Sequence, residues 1–110
     1  MVSEQVIQNQ IRIALSDAGY VNFRVNVGKV RLKDGRWFDT GLPVGHSDIY
    51  GFRPDGQVFY IEVKKPGGRI RPEQKVFLEN VKKLGALCGV ARSPEEALEI
   101  VSGKLSPDEV

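Results

Sequence analysis

Two apolar runs joined by a tight turn constrain the fold of this chain more than any other feature. The first run opens at Asp48, the second extends from Val58 to Lys65, and Pro54-Asp55-Gly56 separates them. Pro-Asp-Gly is typical of a turn, so the two runs predict adjacent antiparallel strands. Because side chains alternate along a strand, Glu62 and Lys64 share one face of the second strand. Core strands do not normally end in such a charged pair, and we therefore expect a functional site here.

Asp48 and Glu62 are expected to converge from the two neighbouring strands. Mg²⁺ prefers oxygen ligands and is usually bound by one or two carboxylates together with waters and substrate phosphate. We predict that these two carboxylates bind Mg²⁺ or Mn²⁺. Lys64, one pleat further on, would then serve the reaction itself. It could orient or deprotonate the attacking water, or stabilise charge that grows on the phosphate.

The spacing of Asp48 and Glu62-Val63-Lys64 resembles the Asp…Glu-x-Lys signature of the PD-(D/E)xK nuclease superfamily. More of the chain is similar to the VRR-NUC (virus-type replication-repair nuclease) family within that superfamily. The likeness covers residues 4 to 92, and it is carried by Glu4, Gly45–Gly51, Ile61–Lys64 and Gln74. Ser47 is a departure, because many members have proline at this position. Since Ser47 is not a proposed ligand, the departure leaves the expected chemistry unchanged.

The resemblance implies a restriction-endonuclease-like fold, which belongs to the α/β class and has a mixed β-sheet flanked by α-helices. It also implies that the backbone carbonyl of Val63 is a further metal ligand. The local sequence patterns give the element order α-β-β-β-α-β-α. We predict a single VRR-NUC-like nuclease domain over residues 1–104 and a polar C-terminal tail over residues 105–110.

Composition agrees with one intracellular domain. With 110 residues, of which 41% are apolar, the chain can bury one core but not two. No apolar run reaches the ~20 residues of a membrane span, and the N-terminus has no signal-peptide pattern. We therefore predict a cytoplasmic protein without a membrane partner, and a phage-encoded protein in a bacterial host also fits the resemblance. Cys88 is the single cysteine, which excludes an internal disulfide and cysteine-based zinc sites.

Two helices are expected to contribute to the site. The first is predicted over residues 3–18, with Glu4 on the same stripe as its buried apolar residues. A carboxylate on that side is costly unless it is paired or near a cation, although the helix dipole alone also favours an acidic first turn. The second helix begins at Pro72 and brings Gln74 toward the sheet. Gln74 could hydrogen-bond a metal-bound water, a phosphate or the catalytic lysine, or it could be an ordinary surface glutamine.

The segment between the first helix and Asp48 is predicted to contain a strand and a turn. Residues 20–27 alternate apolar and polar side chains, which predicts a half-buried strand with a polar face. Residues 30–32 could resume as a second strand or as one arm of a hairpin. We expect Trp37 and Phe38 to pack under the loop that leads to the site. The alternative is that they stack on an exposed base.

His46 is the only histidine of the chain and lies in the loop that approaches Asp48. It could act as a general base or contact phosphate, and an auxiliary role fits its position better than a catalytic triad. Positive charge is concentrated before this loop and after the second strand, whereas the C-terminal part is acidic, an asymmetry typical of a phosphate-binding face. The predicted DNA-binding residues are Lys29, Arg31, Lys33, Arg36, His46, Lys65, Arg69, Arg71 and Lys75.

These features predict a Mg²⁺- or Mn²⁺-dependent DNA endonuclease that hydrolyses phosphodiester bonds. Its predicted catalytic residues are Asp48, Glu62, Lys64, Glu4 and Gln74. The resemblance implies a homodimer that prefers branched DNA such as four-way (Holliday) junctions, and a two-fold dimer would supply the two sites that two matched cuts require. The alternative is a non-cleaving nucleic-acid-binding or partner-docking module with the same fold. In that case Glu62 and Lys64 would form only a surface ion pair.

Overall fold

The computed structural model describes residues 2–103, which form three helices and six strands. The helices are α1 (Glu4–Asp17), α2 (Pro72–Lys83) and α3 (Pro94–Val101). The strands are β1 (Val21–Arg24), β2 (Lys29–Arg31), β3 (Trp37–Asp39), β4 (Ile49–Phe52), β5 (Val58–Val63) and β6 (Leu87–Ala91). The predicted α/β class with a flanked mixed sheet is confirmed, although five strands rather than three precede α2. The predicted polar tail, residues 105–110, lies outside the described residues.

Local sequence signals set the helix ends. Ser3 Oγ accepts the amide N–H of Val6 at the start of α1, and Ser93 Oγ accepts that of Glu96 at the start of α3. Proline occupies the first position of α2, where its missing N–H would have no helical partner. None of these helices within residues 2–103 has both the length and the apolar character needed to cross a bilayer.

Four strands form the main sheet, in the order β1-β4-β5-β6. β4 and β5 are antiparallel, as the Pro-Asp-Gly turn predicts, with Tyr50 opposite Tyr60. β5 and β6 are parallel, with Glu62 opposite Val90. A parallel pair requires a crossover connection, which α2 provides. β2 and β3 form a separate antiparallel ribbon between β1 and β4 in the chain.

The hydrophobic core lies between one face of the sheet and the pair of helices α1 and α3. Its buried residues are Ile7, Ile11, Leu15, Ile49, Phe59, Ile61, Val63, Leu87, Ala91, Ala97 and Val101. Burial of each larger side chain contributes about 1.5–3 kcal/mol relative to exposure. Ile49 and Ile61 thus pack into the core directly beside the acidic residues Asp48 and Glu62. α2 covers the opposite face of β5 and β6.

β1 has the opposite orientation to the one that its hydrophobic pattern suggested. Asn22 faces α1, where its Nδ2 donates to Ser16 Oγ at 3.0 Å and its Oδ1 accepts from Arg12 Nε at 3.1 Å. Val21 and Phe23 consequently lie on the uncovered face and are 56% and 43% exposed. The strand has a polar face as predicted, but its apolar face is not the buried one, because alternation indicates which side chains share a face and not which face a helix will cover.

The ribbon also differs from expectation. Trp37 and Phe38 are 62% and 56% exposed. Their predicted packing under the loop that leads to Asp48 is therefore wrong. The hairpin-arm alternative for residues 30–32 is correct, because β2 pairs with β3 across the turn that follows it.

Candidate active site

Asp48 and Glu62 meet at the end of the sheet where β4 begins and β5 ends. Ile49 and Ile61 are paired across the two strands, so the next position along the ladder brings the two carboxyl groups face to face. Asp48 Oδ2 accepts the amide N–H of Val63 at 2.8 Å. This hydrogen bond fixes the Asp48 carboxylate to the end of β5, beside Glu62.

Glu62 is a deeply buried carboxyl group, with only 1% of the residue exposed. Gln74 Nε2 donates to its Oε1 at 3.1 Å, whereas Oε2 has no hydrogen-bond partner of acceptable geometry in the described part of the chain. Burial is the main reason that the pKa of Glu62 rises to about 9, and the adjacent Asp48 carboxyl raises it further. The positive charge of Lys64 opposes this rise, and the negative charge of Glu4 adds a smaller increase. Glu62 therefore carries a proton at neutral pH while no cation is bound.

Gln74 connects the first turn of α2 to the carboxyl pair. Its Oε1 accepts the amide N–H of Arg71 at 2.9 Å while its Nε2 donates to Glu62. An ordinary surface glutamine would be exposed, but Gln74 is 4% exposed. Within residues 2–103, the side-chain amide of Gln74 donates to Glu62 rather than to the lysine.

Gly45 allows the loop before Asp48 to lie against this same turn of α2. Its φ of +94° is in the left-handed region, and a Cβ atom at this position would lie 2.3 Å from the carbonyl oxygen of Glu73. A side chain here would push the loop away from α2 and would move Asp48 with it.

Lys64 is buried beside the carboxyl pair, with 8% of the residue exposed. Its charge acts on the pKa of Glu62, but no direct ion pair joins the two side chains within residues 2–103. The expectation of a surface ion pair under the docking-module alternative therefore does not match the structure. A buried ammonium group without an acidic partner lowers the stability of the folded protein. A bound anion would supply the missing partner, and the Lys64 side chain is available to interact with one.

A cavity of about 210 Å³ opens next to Asp48, between the start of α1 and the ends of β1 and β5. Its lining residues are Glu4, Gln5, Gln8, Arg24, Val25, Asp48 and Val63. Since a liquid water molecule occupies about 30 Å³, there is room for a cation with several waters. Glu4 is exposed and lines this cavity with Asp48, rather than contacting the core as its helical stripe suggested.

Sequence reasoning missed three polar residues of the cavity, Arg24, Gln5 and Gln8. Arg24 is two positions after Asn22, so it lies on the same α1-facing side of β1, opposite Ile49. Gln8 follows Glu4 by one helical turn and is 8% exposed. The spacing of Gln8 from Glu4 could have indicated that both lie on one face of α1. The spacing of Arg24 from Asn22 could have placed Arg24 in the cavity only if the orientation of β1 had been known.

The donor set fits a hard divalent cation. No group of three or more His, Cys, Asp and Glu side chains in residues 2–103 is arranged to hold a metal ion. Two carboxylates are nevertheless a usual protein contribution to a Mg²⁺ site, where waters and phosphate oxygens complete the coordination. Oε2 of Glu62 has no hydrogen-bond partner among the described residues, and a cation bound there would replace the Glu62 proton and offset the charges of the two carboxylates. The residues present are therefore suited to a hard divalent cation.

His46 is held in an aromatic cluster on the α2 side of the sheet. Its ring centroid lies 4.5 Å from that of Phe77, 5.7 Å from Tyr60 and 6.3 Å from Tyr50. Nδ1 donates to the carbonyl oxygen of Ser47 at 2.8 Å. These contacts anchor α2 to β4 and β5, so His46 has a packing role whether or not it also contacts phosphate.

The other predicted DNA-binding residues are all exposed and form two groups in the chain. The ribbon and its turn carry Lys29, Arg31, Lys33 and Arg36, and the segment from the end of β5 into α2 carries Lys65, Arg69, Arg71 and Lys75. Two of these cations have local acidic partners, since Arg36 pairs with Asp34 at 2.7 Å and Arg71 with Glu73 at 3.6 Å. Along the chain, one group precedes and the other follows the β4–β5 hairpin that carries the carboxyl pair.

Comparisons with known proteins agree on one family. A family model described as "VRR-NUC domain" matches residues 2–95, which is most of the chain. A solved structure titled "VRR_NUC domain" is similar with a TM-score of 0.65 and 19% sequence identity, over 93% of this chain and 97% of that chain. This structural likeness concerns the fold. No curated protein matches the chain in sequence.

Proposed function

The chain belongs to the VRR-NUC domain family, a family of nuclease domains, and on this premise we propose that it is a Mg²⁺- or Mn²⁺-dependent DNA endonuclease. The observation that carries the proposal is the carboxyl pair of the half-buried Asp48 and the buried Glu62, with the buried Lys64 beside it. Buried ionisable groups without mutual compensation are unfavourable for stability. Their concentration at one end of a sheet is typical of a functional site.

The proposed reaction is hydrolysis of a phosphodiester bond. Asp48 and Glu62 would hold the cation, with the carbonyl of Val63 as a further ligand. A bound Mg²⁺ or Mn²⁺ ion supplies Lewis-acid stabilisation of the phosphate and a water of lowered pKa. Lys64 orients or deprotonates the attacking water, or stabilises the charge that develops on the phosphate.

Two further side chains support this site. Gln74 fixes the orientation of the Glu62 carboxyl through its hydrogen bond to Oε1. Glu4 completes the acidic rim of the cavity. Because the pKa of Glu62 is about 9, cation binding near neutral pH must release its proton, and affinity for the cation should rise with pH.

The proposed substrate is branched DNA such as a four-way junction, and the proposed active form is a homodimer. The uncovered face of β1 and β4 supports a dimer, because Val21, Phe23 and Phe52 are 56%, 43% and 42% exposed there. Contiguous exposed apolar surface often marks an interaction site, and two-fold pairing is the commonest form of oligomer. A two-fold dimer would present two cleavage sites and two sets of exposed cations to the junction. Phosphate contacts by these cations should make binding weaken steeply with salt.

Cleavage of a four-way junction and of a linear duplex of matched sequence, in Mg²⁺ or in EDTA, tests this proposal. We expect the wild-type protein to cut the junction preferentially in Mg²⁺ and to be inactive in EDTA. Asp48→Ala should be inactive but folded, whereas Asp17→Ala, at the exposed end of α1, should retain activity as a matched control. Full activity of Asp48→Ala would contradict the site assignment. Binding without cleavage in both Mg²⁺ and Mn²⁺ would favour the docking module instead.

A further inference from the structure

The ribbon formed by β2 and β3 projects from the domain. The two strands pair with each other, and neither contacts another helix or strand of the described chain. Every residue from Lys29 to Asp39 is exposed. A two-stranded hairpin is marginally stable by itself, and this one buries almost no side chain. Its sequence is therefore not explained by a contribution to the core.

The largest aromatic side chain of the ribbon, Trp37, is exposed to solvent. Trp37 is 62% exposed, and the Arg31 guanidinium carbon lies over its ring at 5.5 Å from the centroid. The two residues are directly opposite each other in the β2–β3 register, so they share one face of the ribbon. Phe38 and Val30 are paired on the other face. The first face therefore presents a flat aromatic ring beside a fixed positive charge.

The base of the ribbon is close to the carboxyl pair. The amide of Val25, just after β1, donates to the carbonyl of Asp48 at 2.8 Å, and the amide of Thr40 donates to the carbonyl of Gly28 at 2.8 Å. β2 thus begins four residues after Val25, and the residue that follows β3 is hydrogen-bonded to the residue that precedes β2. The extended part of the ribbon from Gly28 to Lys33, where the turn begins, spans about 17 Å at ~3.3 Å per residue. Such a length could reach about five base pairs along a duplex, at about 3.4 Å per pair.

Charge identifies the kind of partner that the ribbon suits. Residues 28–40 carry four cations, Lys29, Arg31, Lys33 and Arg36, against the two acids Asp34 and Asp39, which leaves a net charge of +2. Two copies of this ribbon would repel each other, whereas phosphate groups would be attracted. Aromatic rings beside cations are also the combination that binds unpaired bases, because every base has a face on which a ring can stack.

We propose that the β2–β3 ribbon is a DNA-contacting arm in which Trp37 stacks on an unpaired base while Arg31 and the neighbouring cations contact flanking phosphates. This inference rests on the proposed nuclease function and identifies the feature of the substrate that is recognised, an unpaired base. A branch point or a single-stranded end offers a base face for stacking, and a continuous duplex does not. The arm would thereby select branched DNA and position the strand relative to Asp48.

Tryptophan fluorescence tests the arm directly, because Trp37 is the only tryptophan in the chain. Wild-type protein in EDTA would be titrated with a four-way junction and with a linear duplex of matched sequence. We expect the junction to quench the emission of Trp37 and the duplex to have little effect. Equal quenching by both DNAs, or none, would overturn the proposal. A blue shift of the emission on raising protein concentration without DNA would also overturn it, because Trp37 would then be buried between two copies.

Matched variants show whether junction binding depends on stacking by Trp37 or only on the presence of an intact ribbon. Trp37→Ala should weaken junction binding by about 5- to 100-fold, the range expected for loss of one base–aromatic stack, and Trp37→Phe should recover part of it. Phe38→Ala, on the opposite face of the same ribbon, should have a much smaller effect. Equal losses for Trp37→Ala and Phe38→Ala would overturn the stacking role.

Cleavage by the wild-type protein, measured on the same DNAs in Mg²⁺, tests the DNA-contacting arm and the proposed nuclease function separately. Junction cleavage together with unchanged Trp37 fluorescence would overturn the arm alone. Absence of cleavage would overturn the proposed function from which the inference starts.

Discussion

Replacing Glu62 with glutamine should abolish a pH dependence that this buried carboxyl group gives to the stability of the metal-free protein. The pKa of Glu62 is about 9 in the folded state, against an ordinary value of 4.5. The folded state therefore binds the proton more tightly than the unfolded state between these two values. The resulting stabilisation is complete below pH 4.5 and is lost as the pH rises through about 9.

The size of the effect follows from the width of this window. Within it, each pH unit lowers the free energy of unfolding by at most about 1.4 kcal/mol, so the ceiling between pH 6 and pH 8 is about 2.7 kcal/mol. Water penetration and coupling to Asp48 reduce the effect, and we expect about 1–2 kcal/mol. Glutamine is neutral and similar in shape, and its Oε1 can still accept from Gln74. The variant should thus lack this slope.

Urea unfolding in EDTA at pH 6, 7 and 8 measures the prediction. Wild type, Glu62→Gln and the control Glu79→Gln, an exposed position of α2, would be compared. All other titrating groups are common to wild type and Glu62→Gln, so the change of their difference with pH isolates Glu62. We expect Glu62→Gln to gain about 1–2 kcal/mol relative to wild type from pH 6 to pH 8, and Glu79→Gln to gain nothing. A constant difference between wild type and Glu62→Gln would refute the argument that Glu62 is buried in protonated form.

Three other predictions concern Lys64, the loop that contains Gly45 and the uncovered face of β1 and β4. In the junction assay, Lys64→Ala and Lys64→Arg should both lose most turnover, since guanidinium is always protonated and differs in shape from ammonium; a fully active Lys64→Ala protein would exclude a catalytic role. Gly45→Ala should lower the melting temperature by several degrees more than Gly56→Ala, because both glycines have positive φ (+94° and +87°) but only Gly45 has a close neighbour. Phe23→Asp should halve the mass measured by light scattering, whereas Val76→Asp, exposed on α2, should not change it; an unchanged dimer in Phe23→Asp would exclude this face as the interface.

The carboxyl pair could be predicted from sequence because its geometry is local. A short turn between two strands fixes their register, so the residues at equal distances from the turn face each other, and this logic places Asp48 opposite Glu62. Helical periodicity alone predicts that Gln74 faces the sheet. Its actual partner, Glu62, depends on how far α2 is rotated about its axis and where it crosses β5, which periodicity does not specify.

Residues whose environment depends on long-range packing could not be predicted in the same way. Whether Asn22 or Phe23 faces the interior depends on which side of the sheet α1 covers, and α1 uses Arg12 and Ser16 to bind Asn22 there. Hydrophobicity also predicted burial of Trp37, but an aromatic residue on a projecting ribbon has no core to enter.

Calorimetric titration of Mn²⁺ into the wild-type protein, Asp48→Ala and Lys64→Ala is the most direct test of the central claim, that two carboxylates hold a cation while the lysine acts on the reaction. We predict Mn²⁺ binding to the wild type, loss of binding in Asp48→Ala, and binding in Lys64→Ala comparable to that of the wild type. Binding by Asp48→Ala equal to that of the wild type, or loss of binding in Lys64→Ala, would contradict this claim.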